Sequence, residues 1–360
     1  MDSILFIAPA NSVHSYRWVS FFKKKFNCSW LSYHKVSNEM SLEYKIKNQI
    51  IYNIFFSKIL QIFSPFYTLY IFLKLKPKIV HIHSLGLNFF VSIILIIFMK
   101  KRVIITPWGS DINYMGYLKK LIFKLILKNN YFTTDSFELE NTLYNYSSYN
   151  KIYKINFGID TKFYKRDSKK IFSKKKIILC PRGYEKVYNS DLILYFIKSN
   201  KEYLKGYKFL FLGNENEKRR IVNLALDLDV ENFCHFLNKV SRKKLLNFYK
   251  MSDFVISASR SDAGISSAVA EAMCCKKVVL CTYNKDNPFW IDNGKNGFLF
   301  LDNDINDFKK TFFNILALSP EEKMKIGENA FKTQEKFNSY DIEMKKVLKL
   351  YKTLIKKIKK

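Results

Sequence analysis

The sequence lacks the features that would mark a membrane-spanning, secreted or modular protein. No apolar run reaches the roughly 20 residues that a spanning helix needs. Leu87 through Met99 stops short, and the stretch from Ile50 to Leu73 is interrupted by Asn53, Lys58, Gln61 and Pro65, so both read as buried helices. The N-terminus has no basic start and no long apolar core; Ile4 through Ala8 reads as a first core strand, and the protein is expected in the cytoplasm. The six cysteines, Cys28, Cys180, Cys234, Cys274, Cys275 and Cys281, show none of the paired spacings of zinc or redox motifs and are expected as reduced, buried thiols. Proline and glycine form no linker tract and nothing repeats at a fixed period, which argues against solenoids and strings of small modules. Finger, helix-turn-helix and base-stacking signatures are absent too, so nucleic acid is not an expected partner.

Acidic residues are also in short supply. Lys and Arg number 61 against 31 for Asp and Glu, a formal charge of +30 that calls for anionic surroundings such as nucleic acid, lipid head groups or phosphorylated substrates. Heavy use of Lys, Ile, Asn, Phe and Tyr together resembles coding bias, so the distribution says more than the total. Between Glu43 and Asp111 there is no acidic residue, while Lys45, Lys47, Lys58, Lys74, Lys76, Lys78, Lys100, Lys101 and Arg102 fall inside that stretch. Further on, Lys120, Lys124 and Lys128 recur every fourth residue beside Leu118, Leu121, Ile122 and Leu125, the pattern of a basic amphipathic helix. Two readings are open there: peripheral contact with an anionic membrane, or a core-packed helix with a solvated lysine face.

What is present in quantity is alternation. A chain of 360 residues exceeds the usual single core, so two domains are expected. Short apolar strands separated by helical stretches predict parallel sheets with helical crossovers. In the first half these are Ile4–Ala8, Lys78–Ile82, Val103–Thr106 and Tyr131–Thr134. In the second they are Ile177–Cys180, Phe209–Gly213, Phe233–Phe236, Phe254–Ser257, Val278–Cys281 and Gly297–Phe300. The expected division is residues 1–165, residues 166–335 and a basic C-terminal helix, residues 336–360. Ligands of such α/β sheets bind beyond the carboxyl ends of the strands, in this case in a cleft between two doubly wound domains. Candidate residues follow strands accordingly: Asn11 through Trp18, His83, Pro107 through Asp111, Arg182 through Lys186, and Asp262 through Ser267.

The last of these segments is the most informative. Phe254 to Ser257 is followed by Asp262, a turn at Gly264-Ile265-Ser266-Ser267, then Glu271-Ala272-Met273 and Val278-Val279-Leu280, which reads as strand, glycine turn, helix, strand. A helix opening after Gly264 leaves backbone N–H groups unpaired at the positive end of its dipole, where a phosphoryl group is stabilised. Glu271, about a turn deeper, can accept from two neighbouring hydroxyls at once, which suits a ribose carried by a diphosphate. A solvent-facing Glu271 fits less well with its apolar flanks Val269, Ala270, Ala272 and Met273.

With these loops in place the chain resembles the retaining GT-B glycosyltransferases of family four over nearly its whole length. Members carry a glutamate, seven residues and a second glutamate leading into Ala-Met. Glu271-Ala272-Met273 fits the second half, whereas Ala263 stands at the first glutamate position and Asp262 lies one residue out of register. Arg182 resembles the family arginine that pairs with the donor diphosphate; the usual lysine position holds Val187, with Lys186 just before it. Asn11 through Trp18 is similar to the N-terminal loop of the family without its paired glycines, and puts His14 and Arg17 near donor phosphate or acceptor. His83 resembles the histidine that ends a family strand. Pro107-Trp108-Gly109-Ser110-Asp111 resembles the loop in which members have histidine before Gly-Ser-Asp, so Trp108 removes that imidazole and leaves Gly109 and Asp111.

The resemblance implies two Rossmann-like domains and transfer of a sugar from a nucleotide diphosphate donor, such as a UDP- or GDP-sugar, with retention and without metal or other cofactor. Arg182, Lys186, Gly264, Ile265, Ser266 and Ser267 would hold the diphosphate, Asp262 the donor sugar and Glu271 the ribose. His14, Arg17, His83, Gly109 and Asp111 would form the acceptor side, for a glycan or lipid-linked saccharide of a cell-surface polysaccharide. Catalytic weight falls on Glu271, Asp111 and Arg182. The rival metal-binding pattern Asp-x-Asp occurs at Asp227-Leu228-Asp229 and Asp302-Asn303-Asp304, and both read as structural. The C-terminal helix either crosses back onto the first domain or offers its lysines to lipid at the inner face of the membrane. Two further readings are a basic nucleic-acid-binding protein and a catalytically silent, membrane-associated relative.

Overall fold

The computed structural model describes residues 1–36, 52–53, 60–99, 102–113, 117–128, 130–148, 151–165, 176–215, 217–262 and 264–359. Lys45, Lys47, Lys58, Lys100, Lys101 and Ala263 lie outside the described residues. The divisions expected after residues 165 and 335 stand against observed ones after Phe157 and Tyr340. Two compact units are found: Met1–Phe157 with Asp341–Lys360, and Gly158–Tyr340.

The first unit carries seven strands, β1 Ser3–Ile7, β2 Asn27–Ser32, β3 Tyr52–Asn53, β4 Ile79–His83, β5 Val103–Thr106, β6 Tyr131–Thr134 and β7 Ile152–Lys154. They pair in the order β3-β2-β1-β4-β5-β6-β7, all parallel. β2, β3 and β7 were not expected from sequence: β2 is half polar, and β3 and β7 span only two and three residues. Side-chain alternation divides the sheet into two faces. Leu5, Ile7, Val80, Ile82, Val103 and Ile105 point to one face. They are covered there by α2 Ser64–Leu75, α3 Leu87–Val91, α4 Ile93–Phe98, α5 Tyr117–Leu127 and α6 Phe137–Leu143. Phe6 and His81 point the other way, toward α1 Val13–Lys23 and the C-terminal helix.

One expectation about burial is corrected on the α2–α5 side, and one open reading is decided. Leu87 through Met99 is not one buried helix but two short ones meeting at Ser92, and Phe90 and Phe98 are exposed. In α5 the buried side chains include Phe123 and Leu127, so Leu121 and Leu125 face solvent alongside the exposed Lys120 and Lys124. Of the two readings that the periodicity left open, a core-packed stripe through Leu121 and Leu125 is not what is found; Phe123 and Leu127 pack in its place.

The second unit has six parallel strands: β8 Lys176–Cys180, β9 Tyr207–Gly213, β10 Cys234–Asn238, β11 Phe254–Ser257, β12 Val278–Tyr283 and β13 Phe298–Leu301. Their order is β10-β9-β8-β11-β12-β13. Ile178, Phe209, Phe211, Phe254, Ile256 and Leu280 pack one face against α7 Ser190–Ser199, α8 Lys218–Asp227 and α11 Ile305–Ala317. Leu179, Leu210, Leu212, Val255, Val279 and Cys281 pack the other against α9 Arg242–Met251 and α10 Ser267–Cys274, with Ala330 of α12 Pro320–Phe337. The Asp-x-Asp pairs sit at helix ends. Asp227 closes α8 and Asp229 pairs with Lys201 at 2.6 Å, while Asp304 caps α11 by accepting the N–H groups of Asn306 and Asp307.

A final helix, α13 Tyr340–Lys359, returns the chain to the first unit. Met344, Val347, Leu350, Tyr351 and Leu354 are buried at helical spacing, and Lys345, Lys349, Lys352 and Lys356 line its exposed side. Glu343, wholly buried, accepts the Asn156 N–H at 2.8 Å and pairs with Lys346. Tyr351 Oη meets His81 Nδ1 at 2.5 Å, His81 Nε2 meets Thr106 Oγ1 at 2.6 Å, and Thr106 Oγ1 meets Thr133 Oγ1 at 2.5 Å. This buried chain of hydrogen bonds ties α13 to three strands' worth of sheet. Removing one partner strands a buried polar group, so Tyr351→Phe should cost about 1–3 kcal/mol. Urea unfolding of the full chain checks this, and a wild-type transition would contradict it.

Candidate functional site

In each unit the strand order reverses once, and the expected site residues gather at those reversals. In the second unit the reversal lies between β8 and β11, which are paired neighbours. Such a crevice beyond the carboxyl ends of adjacent strands is where open α/β sheets take ligands. Arg182 follows β8 and Asp262 follows β11. Their side chains form an ion pair through Arg182 Nη2 and Asp262 Oδ1, and Arg182 Nε donates to Ser259 Oγ at 3.1 Å. The guanidinium lies 4.6 Å from the centre of the Tyr188 ring. Asp262 is only 7% exposed, and burial raises its pKa against the opposing pull of Arg182. Its Oδ2 has no hydrogen-bond partner among the described residues.

This pairing modifies the sequence expectation for both residues. Asp262 was assigned to sugar hydroxyls and Arg182 to two phosphate oxygens; here each uses part of its capacity on the other, because a desolvated carboxylate needs a counter-charge. Lys186 is exposed at the head of a short 3-10 turn, Lys186–Tyr188, and takes no part in the pair. Ser259 and Tyr188 escaped the sequence reading, since a serine and a tyrosine in loops carry no spacing signal of their own.

The helix start is also displaced. α10 begins at Ser267, with Ser266 as N-cap and its hydroxyl accepting from Val269 N–H at 3.3 Å. Gly264, at φ 65°, turns the chain into the cap in a conformation that favours glycine. The first main-chain bond of the helix runs from Ala270 N–H to Ser266 O, so the N–H groups of Ser267 and Ala268 precede the ladder and face its positive end. Within α10 only Ser267 and Glu271 are not buried, and their spacing puts both on one face. Glu271 Oε2 lies 3.1 Å from Tyr249 Oη, which is also 3.0 Å from Ala268 O. Tyr164 stands beside the same carboxylate; burial first and Glu271 second push its phenol up. Arg242 donates to Tyr164 Oη at 3.3 Å and pairs with Asp160 at 3.3 Å. Glu271 therefore belongs to a polar cluster that one glutamate in the sequence could not reveal.

The first unit reverses between β1 and β4. His14 and Arg17 follow β1 on α1, and His83 ends β4. The structure corrects the expected role of His83: its ring is wholly buried, with Trp18 at 4.9 Å, His81 at 4.6 Å and Phe6 at 6.0 Å, so it presents nothing to a ligand. Neither ring nitrogen has a partner among the described residues. His14 is half-buried, 4.5 Å from the Phe157 ring and 6.3 Å from Trp108. Asp111 is corrected as well. Its carboxylate accepts Trp108 N–H at 3.0 and 3.1 Å and Leu85 N–H at 2.6 Å, bracing the loops after β5 and β4 instead of standing open to an acceptor. Gly109, at φ 86°, makes the turn that lets Asp111 reach back.

Residues 162–333 match the family described as Glycosyl transferases group 1, and residues 3–141 match the one described as Glycosyl transferase 4-like. Both matches are to glycosyltransferase families, and together they span most of the chain. An uncharacterised glycosyltransferase of Methanocaldococcus jannaschii is 26% identical over 194 residues, which is 54% of this chain and 48% of that protein. The chain thus aligns with about half the length of this curated relative. Among solved structures, a glycosyltransferase from Rickettsia africae ESF-5 superposes with a TM-score of 0.83 at 18% identity, covering 99% of each chain. Anabaena HepE in complex with UDP-glucose superposes at 0.80 with 10% identity, covering 98% of this chain and 100% of that one. At these identities the likeness establishes the fold, GT-B, with its two parallel α/β sheets.

Burial gives this glycosyltransferase a pH signature. The pKa of His14 falls from 6.5 to about 4, by burial and then the charge of Arg17; that of His83 falls to about 3, by burial and then His14. Both are neutral when folded and take up protons more readily when unfolded. Stability is therefore whole above 6.5 and declines as pH falls toward their folded values, by about 1.4 kcal/mol per pH unit for each histidine. Urea unfolding across this range should show a shallower slope in His14→Gln than in wild type; equal slopes would contradict the assignment.

Proposed function

We propose that this chain moves a sugar from a nucleotide diphosphate donor to a hydroxyl of a glycan or lipid-linked saccharide, with retention at the anomeric carbon, in the synthesis of a cell-surface polysaccharide. The observation that carries the reading is the composition of the crevice between β8 and β11. A paired cation, a buried carboxylate oxygen with no hydrogen-bond partner among the described residues and an open helix start belong to one loop cluster. Free phosphate would draw on Arg182 and leave Asp262 buried without compensation. A nucleotide sugar supplies both halves: phosphate for Arg182 and the N–H groups of Ser267 and Ala268, and a sugar hydroxyl to donate to Asp262 Oδ2. The solved complex of Anabaena HepE holds UDP-glucose, which supports a donor of this class.

In this mechanism the site acts by fixed electrostatics. As the glycosidic bond to the diphosphate breaks, negative charge grows on the leaving oxygen, and Arg182, the mobile ammonium of Lys186 and the dipole of α10 oppose it. Asp229 and Asp304, engaged with Lys201 and with a helix cap, favour neutralisation by these groups over a carboxylate-held metal. The departing phosphate accepts the acceptor's proton on the same face, so no separate general base is assigned. Glu271, with Tyr249 and Tyr164 fixing its orientation, accepts from the ribose diol. On the acceptor side His14, Arg17 and the backbone around Gly109, braced by Asp111, frame the pocket, at the inner face of the cytoplasmic membrane.

A thermal-shift screen of UDP- and GDP-sugars identifies the donor. With it, Glu271→Gln should lower turnover more than about tenfold through loss of a charge-assisted contact to the ribose. Wild-type turnover in that variant would remove Glu271 from the donor site.

A further inference from the structure

Helices α2, α3, α4 and α5 cover one face of the first sheet, and their outer side is unusual for a surface. α2 packs against α3 and α4, and α4 against α5, so they form one continuous layer whose far side points away from the sheet. On α2 and the turn before it, Phe63, Phe66, Tyr70 and Leu73 follow helical spacing and are all exposed, Phe66 by 65%. Phe98 at the end of α4 is 73% exposed and Leu125 on α5 is 71% exposed. Single exposed apolar residues need no explanation, but a stripe of aromatics continued across neighbouring helices does.

Charge selects among the surfaces that could cover it. Exposed Lys74 and Lys76 close α2, and exposed Lys120, Lys124 and Lys128 run along and past α5. Asp111 is the single acidic residue between Glu43 and Asp135 in the sequence, so α2 to α5 carry no carboxylate at all. A protein partner of ordinary composition, or a second copy of this basic chain, would bring lysines against lysines. A bilayer with anionic head groups offers hydrocarbon to the aromatics and negative charge to the lysine rim. The other basic surface of this unit, the exposed side of α13, differs in the decisive respect: Lys345, Lys349, Lys352 and Lys356 stand there while its main apolar residues are buried against the sheet.

We propose that the α2–α4–α5 face docks on the surface of an anionic lipid bilayer, with Phe66, Tyr70, Phe98 and Leu125 entering the interface and Lys120, Lys124 and Lys128 at the head groups. This gives the membrane contact of the proposed function a specific surface, and its test is separable from that reading. Full-length protein is sedimented with phosphatidylcholine vesicles carrying about 30 mol% phosphatidylglycerol, and with phosphatidylcholine alone. Phe66→Ser with Leu125→Ser should lower partitioning about tenfold or more at both low and high salt, and Lys120→Gln with Lys124→Gln and Lys128→Gln should lower it at low salt only. These positions are exposed, so the variants should keep wild-type thermal stability and the same stabilisation by nucleotide sugar. A donor response without vesicle binding sinks the docking face and leaves the transferase reading intact; vesicle binding without a donor response does the reverse. Wild-type partitioning in the Phe66/Leu125 variant overturns the proposal. So does a dimer in sedimentation analysis that the same variant dissociates, which would make the face a self-association surface.

Discussion

The ion pair between Arg182 and Asp262 is the constraint from which the second unit's site follows. A carboxylate as buried as Asp262 cannot keep its charge without a partner, and removing one member of such a pair typically costs about 3–5 kcal/mol. The partner must come from the neighbouring strand's loop, so β8 and β11 have to lie side by side and end level. That requirement is met by their parallel pairing at the one place where the strand order turns round. The pair also sets terms for any ligand. Whatever draws Arg182 away must offer Asp262 a hydrogen-bond donor in return, and a diphosphate that carries a polyhydroxylated sugar does both in one molecule.

The first unit is held by a different economy of polar groups. Tyr351, His81, Thr106 and Thr133 form a linear chain of short hydrogen bonds that pins the returning helix to the sheet. One pleat further on, His83 is buried with no partner for either ring nitrogen among the described residues. The two histidines share a strand and a face, yet one is an architectural joint and the other is tolerated only as a neutral ring against Trp18 and Phe6. Asp111 shows the same principle in a loop. Backbone N–H groups that would otherwise lack partners recruit the carboxylate, and the residue shapes the pocket through the chain it holds instead of by touching a substrate.

Much of the fold was legible in the sequence because buried parallel strands are written as short β-branched and aromatic runs. Val103–Thr106, Tyr131–Thr134 and Phe254–Ser257 coincide with the observed strands, and the remaining expected strands differ by a few residues at their ends. What escaped was either too short or too polar to signal, as with Ile152–Lys154 and Asn27–Ser32, or depended on which of two faces packs. Leu121 and Leu125 are the clearest instance: periodicity specifies a stripe but not its direction, and Phe123 and Leu127 took the core. The site was legible at the level of loops. Arg182, Asp262 and the helix after Gly264 do meet, because topology brings the loops of adjacent strands together. Their mutual pairing, the cap at Ser266 and the Tyr249 and Tyr164 contacts of Glu271 needed coordinates, since none leaves a spacing in the chain.

In the proposed donor complex a diphosphate displaces part of the Arg182–Asp262 pair at the start of α10, and a crystal structure with a bound nucleoside diphosphate sugar tests this most directly. The predicted result is phosphate density at the N–H groups of Ser267 and Ala268 with Arg182 turned onto it, and a sugar hydroxyl on Asp262 Oδ2. A nucleotide bound elsewhere, with Arg182 and Asp262 still fully paired and the start of α10 unoccupied, would contradict it.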